Sequence, residues 1–80
     1  LLELRFLNLQ DNQVADLSPL VGLSELKQLI LLENQIVDIS PLLEMNSLHY
    51  VNVEGNPLGE KARSTDIPVL RDRGVDVIWQ

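Results

Sequence analysis

Apolar residues recur along this chain at a fixed interval of 22 positions. Within a stretch of strand length, the repeated apolar sets are Leu4, Leu26 and Leu48; Leu7, Leu29 and Val51; and Leu9, Leu31 and Val53. An asparagine follows each stretch, at positions 12, 34 and 56. Because side chains alternate across a β-strand, the residues between the apolar ones are expected to point outward. The pattern predicts three short strands that bury equivalent side chains.

The spacing L-x-x-L-x-L-x-x-N at a period of 20–29 residues is the signature of a leucine-rich repeat. It predicts an α/β fold of the solenoid type, with parallel strands on one side. Twenty-two residues leave little room for a helix on the return path, so extended segments and 3₁₀ turns are expected there. Asp16 and Ser18, just before Pro19, suit the start of such a turn. The repeated asparagines are interpreted as structural, since a side-chain amide can satisfy backbone groups in a tight turn.

Residues 1–58 are interpreted as leucine-rich repeats, with three strands in two complete repeats and part of a third. Residues 59–80 break the pattern and are interpreted as a C-terminal cap, because a terminal repeat has no neighbour to cover one face. A helix is predicted at about 66–73, with Thr65 or Asp66 as its N-cap and Gly74 just after its end. A last strand is predicted over 75–79. Trp79 is expected to pack rather than to bind.

The segments NQVADLSPL and NQIVDISPL resemble the 22-residue repeats of the SDS22-like class, known from bacterial internalin-type proteins. The ending GNPLGEKARSTDIPVLRDRGVDVIW resembles the cap of many bacterial leucine-rich-repeat proteins. The resemblance implies a curved, right-handed solenoid that binds protein partners on its concave strand face. An internalin proper has further repeats, an N-terminal helical cap and often an immunoglobulin-like domain. The resemblance therefore supports a binding module and not a particular receptor.

The formal net charge of −6 is unevenly distributed. Residues 1–60 carry nine acidic and two basic side chains, whereas residues 61–80 carry three and four. An acidic solenoid repels phosphate groups, which argues against nucleic acid and anionic membranes as partners. No apolar run is long enough to span a membrane. The absence of cysteine fits a reducing cytoplasm, but bacterial surface or secreted proteins also dispense with it, so the compartment stays open.

Catalysis and cofactor binding are not expected from the residue types present. The single histidine, His49, has no carboxylates at metal-ligand spacing, and no glycine-rich segment has the Gly-Lys-Ser/Thr of a phosphate loop. Ser18 and Ser40 precede prolines in turns and are interpreted as structural. We therefore expect a chain without enzymatic activity, metal or cofactor.

The outward strand positions form a grid of three rows, in which aliphatic and aromatic side chains are expected to cluster. Exposed apolar clusters of this kind often mark protein contacts. The predicted partner-binding residues are Phe6, Asn8, Gln28, Ile30, Leu32, Tyr50, Asn52 and Glu54, with Gln10 completing the third row.

A protein-interaction module is the favoured function. Two alternatives stay open: a purely structural cap of a longer solenoid or multidomain protein, and a phosphatase-regulating module by analogy. In the structural alternative, the first strand would be an open edge, available to upstream repeats or to a second copy.

Overall fold

The computed structural model describes residues 3–80 and shows four parallel strands in one sheet. The strands are β1 (Phe6–Asn8), β2 (Gln28–Ile30), β3 (Tyr50–Asn52) and β4 (Asp76–Ile78), and they lie side by side in chain order. Parallel neighbours require a return segment between successive strands. Each strand with its return segment is called a coil below, and the coils stack as a leucine-rich-repeat solenoid.

The register of the sheet follows the 22-residue period. Leu7 is level with Leu29, Leu29 with Val51, and Val51 with Val77. The central residue of β2, β3 and β4 is buried. The predicted strands, parallel arrangement and inward side chains are therefore confirmed in the second and third coils.

The return segments contain short 3₁₀ turns, as predicted. They span Ser18–Leu20 and Ser40–Glu44, and each has proline in its first two positions. Asp16 Oδ1 accepts hydrogen bonds from the backbone N–H of Ser18, at 3.0 Å, and from its hydroxyl, at 2.8 Å. The backbone N–H of Ser40 donates to Asp38 in the same way, at 2.9 Å. Each aspartate thereby fixes the entry into its turn.

Hydrogen bonds from these serines hold the pKa of Asp16 and Asp38 below the ordinary aspartate value. In both cases the backbone N–H of the serine has the largest effect, because it stabilises the ionised carboxylate. The positive charge of Lys61 also lowers the pKa of Asp38. The two aspartates repeat at an interval of 22 residues, so the first and second coils carry the same charged turn.

The return segment of the third coil is helical, and its helical structure begins before the predicted helix at about 66–73. A π-helical turn, Ala62–Asp66, leads into α1, Ile67–Asp72. Thr65, one of the two predicted N-caps, lies within the π-helical turn. Asp66, the other, occupies the N-cap position of α1, but it makes no capping hydrogen bond with its side chain. Asp66 is only 1% exposed, and its carboxylate accepts hydrogen bonds from Lys61 Nζ at 2.8 and 3.0 Å. Gly74 follows the helix at φ 93°, a conformation that glycine adopts without strain, as predicted.

The cap is joined to the rest of the chain by the Arg73 side chain and by the core. Arg73 Nη1 donates to the carbonyl oxygen of Leu43 in the second coil, whereas Arg71 Nη2 donates to that of Val77 within the cap, at 2.8 Å. Trp79 is partly buried and packs against the core. Since β4 belongs to the same sheet as the repeats, the cap extends the stack. The division at residue 58 stays a prediction.

The inward apolar side chains in and beside β1 are less buried than predicted. Leu4 is 39% exposed, whereas its equivalent Leu26 is fully buried, and Leu7 and Leu9 are only partly buried. The reason is geometric, because β1 pairs with β2 on one side and with no strand of residues 3–80 on the other. Leu1, which keeps the repeat phase, lies outside the described residues.

Candidate interaction surface

The outward side of the four-stranded sheet, called the strand face below, carries side chains in aligned rows. The first row is Phe6, Gln28, Tyr50 and Asp76, and the second is Asn8, Ile30, Asn52 and Ile78. Adjacent members of a row are separated by one strand spacing, about 4.8 Å. The structure therefore brings together the predicted members of these two rows.

The third predicted row lies just beyond the ends of the strands. Its members are Gln10, Leu32 and Glu54. Inter-coil hydrogen bonds continue here, since the N–H of Asp11 donates to the carbonyl oxygen of Leu32 and that of Glu33 donates to Glu54, both at 2.9 Å. Backbone hydrogen bonds between neighbouring coils therefore hold the residues of the third row in position.

The apolar side chains of the strand face differ in exposure. Phe6 is 51% exposed, whereas Ile30, Leu32 and Tyr50 are partly buried. Phe6 therefore projects further into solvent than the other three side chains. Together the four side chains form an apolar patch with side-chain amides between its members.

Two asparagines in the second row are fixed by hydrogen bonds to their own backbone. The N–H of Gln10 donates to Asn8 Oδ1 at 2.9 Å, and the N–H of Glu54 donates to Asn52 Oδ1 at 3.0 Å. Because only the oxygen of a side-chain amide can accept from an N–H, these bonds settle which end of each amide faces the backbone. Asn52 Nδ2 lies 3.4 Å from the hydroxyl oxygen of Tyr50. Both side chains are therefore preorganised.

Another set of asparagines, at the ends of the strands, is structural, as predicted. Asn34 Oδ1 accepts from the N–H of Val14 at 3.0 Å, and its Nδ2 donates to the carbonyl oxygens of Leu9, Leu31 and Leu32. Asn56 repeats these contacts one coil later, accepting from Ile36 and donating to Leu31. Each of the two joins its own coil to the preceding one.

The polar groups considered for chemistry serve structural purposes. His49 Nδ1 lies 2.7 Å from the carbonyl oxygen of Ser47, within its own coil. Among residues 3–80 there is no group of three histidine, aspartate or glutamate side chains placed to hold a metal ion. No helix within that range is long and apolar enough to cross a membrane.

A shallow cleft of about 310 Å³ lies on the return side, between the second coil and the cap. Val37, Asp38 and Ser40 line it from the coil, and Gly59, Glu60, Lys61 and Ala62 line it from the cap. Lys61 is already paired with Asp66. The cleft is open and carries no arrangement of groups typical of a catalytic centre.

Two strand-face residues were missed by the sequence reasoning. Asp76 and Ile78 in β4 continue the first and second rows. The signal was present, because Val75 and Val77 occupy the inward positions of the predicted last strand and alternation places their neighbours outward. The face is therefore four strands wide.

A comparison with protein families matches residues 3–44 to a family described as leucine-rich repeats in two copies. This match covers more than half of the chain. The chain belongs to the leucine-rich-repeat family. Repeats of this family typically form binding modules rather than enzymes.

Among solved structures, the chain is similar to internalin C2 from Listeria monocytogenes. The two share 33% sequence identity and superpose with a TM-score of 0.79 over 96% of this chain. The chain spans 32% of the length of that internalin chain. The search of curated proteins gave no match. The similarity is consistent with the expected internalin-type fold and with a protein-interaction module in general.

Proposed function

We propose that this chain binds a protein partner through its strand face. The observation that supports this function is the in-register grid of outward side chains, in which Phe6, Ile30 and Tyr50 lie among uncharged amides. Apolar side chains surrounded by polar ones are typical of protein-binding surfaces, and aromatic side chains often supply much of the binding free energy. The predicted site residues are thus proposed as the contact surface, with Asp76 and Ile78 added to it.

The rigidity of the sheet favours this function. Four strands are tied together by backbone hydrogen bonds and by the inter-coil contacts of Asn34 and Asn56. A partner therefore meets side chains that are already in position. Preorganisation lowers the entropic cost of association.

The proposal is tested by substitutions that change the strand face without changing the core. Ile30→Asp places a charge in the middle of the face, and Tyr50→Ala removes an aromatic contact. Val37→Asp is the matched control, because Val37 is 52% exposed and lies on the return side. Proteins captured by the immobilised full chain are compared among the variants, and the thermal midpoint of each variant is measured by circular dichroism.

Captured proteins should be lost with Ile30→Asp and reduced with Tyr50→Ala, but retained with Val37→Asp at an unchanged midpoint. Equal capture by all three variants would refute binding through this face. A midpoint that falls together with capture would mean that these side chains belong to the core.

A structural role is the second candidate function, supported by the exposed apolar side of the first coil. Leu4 is 39% exposed, and Asn12 Nδ2 donates only to Leu9 and Gln10 of its own coil within residues 3–80. In this role the chain closes one end of a longer stack, and β1 takes upstream repeats or a second copy. Sedimentation would then detect self-association of the isolated chain or poor folding. A stable, well-folded monomer would count against this role.

A further inference from the structure

The second row of the strand face combines two oriented amides with an aliphatic side chain between them. Asn8, Ile30 and Asn52 are level with one another on neighbouring strands. With strands about 4.8 Å apart, the two asparagines are separated by roughly 10 Å. These three residues are called the Asn–Ile–Asn row.

Both amides in this row present hydrogen-bond donors away from their own backbone. Each Oδ1 accepts from the N–H two residues later, so each Nδ2 is the end that is left for other partners. Asn8 is exposed, and its Nδ2 donates no hydrogen bond within the described range 3–80, while Asn52 Nδ2 makes one long contact with Tyr50. The row therefore offers two fixed donors on either side of Ile30.

We propose that the Asn–Ile–Asn row binds an extended peptide segment of a protein partner, lying across the strands. The segment places an apolar side chain against Ile30 and donates nothing to the asparagines; two of its backbone carbonyl oxygens accept from Asn8 Nδ2 and Asn52 Nδ2. This inference rests on the proposed function and specifies the chemistry of the partner.

Charge favours a carbonyl oxygen over a carboxylate as the acceptor. The formal net charge of the chain is −6, and Glu54 and Asp76 lie on the same face. A carboxylate on the partner would be repelled by these groups. A backbone carbonyl accepts the same hydrogen bond without that cost.

Geometry favours an extended segment over a helix. In the extended polyproline II conformation a chain has three residues per turn and advances about 3.1 Å per residue, so carbonyl groups three residues apart point to the same side. They are separated by about 9 Å, which is close to the spacing of the two asparagines. Between them, one side chain can point toward Ile30. The carbonyl oxygens of a helix are bonded internally and are directed along its axis, so a helix cannot offer them in this way.

The test uses peptides selected from a displayed random library against the immobilised full chain, followed by affinity measurements with a synthetic selected peptide. Asn8→Asp and Asn52→Asp each keep an oxygen for the backbone N–H but replace the outward donor with an acceptor. Asn46→Asp is the matched control, because Asn46 is exposed in the turn before β3 and its substitution adds the same charge. Ile30→Asp tests the face as a whole.

The inference is supported if Asn8→Asp and Asn52→Asp each weaken peptide binding by about tenfold, whereas Asn46→Asp has little effect. Thioamide substitutions along the peptide give a second measurement that does not depend on the folding of a variant. Since a thioamide sulfur is a weaker acceptor than a carbonyl oxygen, substitution at the two contacting positions should also weaken binding.

Other outcomes separate this inference from the proposed function. If Ile30→Asp abolishes binding but the two asparagine variants bind as well as Asn46→Asp, the face binds peptides without using the amides, and the inference is wrong. If Ile30→Asp also binds normally, both proposals fail for this ligand. If no peptide is selected while proteins are still captured through the face, the partner is not an extended segment and the inference is again wrong.

Discussion

At the scale of single residues, the asparagines at the ends of the strands show how position decides the contribution of a side chain. Asn34 is 6% exposed and bonds to both its own and the preceding coil. Asn12 is exposed and bonds only to its own coil within residues 3–80. The same residue type at the same repeat position is therefore expected to contribute differently to the free energy of unfolding.

Replacing Asn34 with alanine should lower the free energy of unfolding by about 3 kcal/mol, because Val14 N–H and several carbonyl groups lose their buried partner. Asn12→Ala should cost about 1 kcal/mol or less, since its contacts are exposed. Chemical denaturation of both variants measures the difference. Equal costs would mean that the inter-coil hydrogen bonds add little to stability.

Glycine at position 55 is required by both its conformation and its surroundings. Its φ is 74°, and a Cβ there would meet the carboxylate of Glu33. Gly55→Ala should therefore lower the free energy of unfolding by about 1–2 kcal/mol. Gly22→Ala is the control, because a Cβ at Gly22 has no heavy atom within 4 Å. Thermal unfolding of both variants is the measurement, and a larger loss with Gly22→Ala would contradict this account.

The lowered pKa values of Asp16 and Asp38 predict a dependence of stability on pH. A carboxyl group whose pKa is lower in the folded state stabilises the fold above the pKa of the unfolded state, and this contribution is lost as the pH falls through the folded value. The thermal midpoint should therefore fall on acidification below the ordinary aspartate range. In the double variant Asp16→Asn and Asp38→Asn this fall should be smaller. An identical acid dependence would exclude these turns as its source.

At the scale of elements, the repeats could be predicted well and the cap only in outline. The period of 22 fixed which side chains lie level with one another, because stacked coils bury equivalent positions. The helical cap lacks that constraint. Asp66 has the residue type and position of an N-cap, yet it is buried and paired with Lys61, a contact that arises from the π-helical turn before α1. Nothing in the local pattern distinguishes these two environments.

Tertiary packing also explains why the exposure of Leu4 was not anticipated. Leu4 has the same sequence pattern as the fully buried Leu26, and only its place at the edge of the described stack distinguishes them. Ile78 could have been added from alternation alone. The binding role of the strand face stays a prediction, since no pattern of one sequence identifies a partner.

The ion pair in the cap should contribute measurably to stability. Lys61→Met leaves the carboxylate of Asp66 buried without its partner and should cost about 2 kcal/mol, less than a fully buried pair because the Lys61 side chain is 66% exposed. Adding Asp66→Asn to this variant removes the uncompensated charge and should recover part of the loss. Denaturation curves test both. A double variant less stable than Lys61→Met would contradict the interpretation.

At the scale of the whole molecule, the fold separates two surfaces with different properties. The strand face carries in-register apolar and amide side chains together with the carboxylates of Glu54 and Asp76, whereas the return side carries the turns of Asp16 and Asp38. Exposed apolar side chains also occur away from the strand face, at Val37 and Val69. These two residues provide an internal reference for any experiment that locates a partner.

Hydroxyl-radical footprinting of the full chain, free and bound to a captured partner, tests the central claim most directly. Phe6 and Tyr50 should lose labelling in the complex, because the partner covers the strand face, whereas Val37 and Val69 should be labelled equally in both states. Protection of Val37 and Val69 with unchanged labelling of Phe6 and Tyr50 would contradict the account.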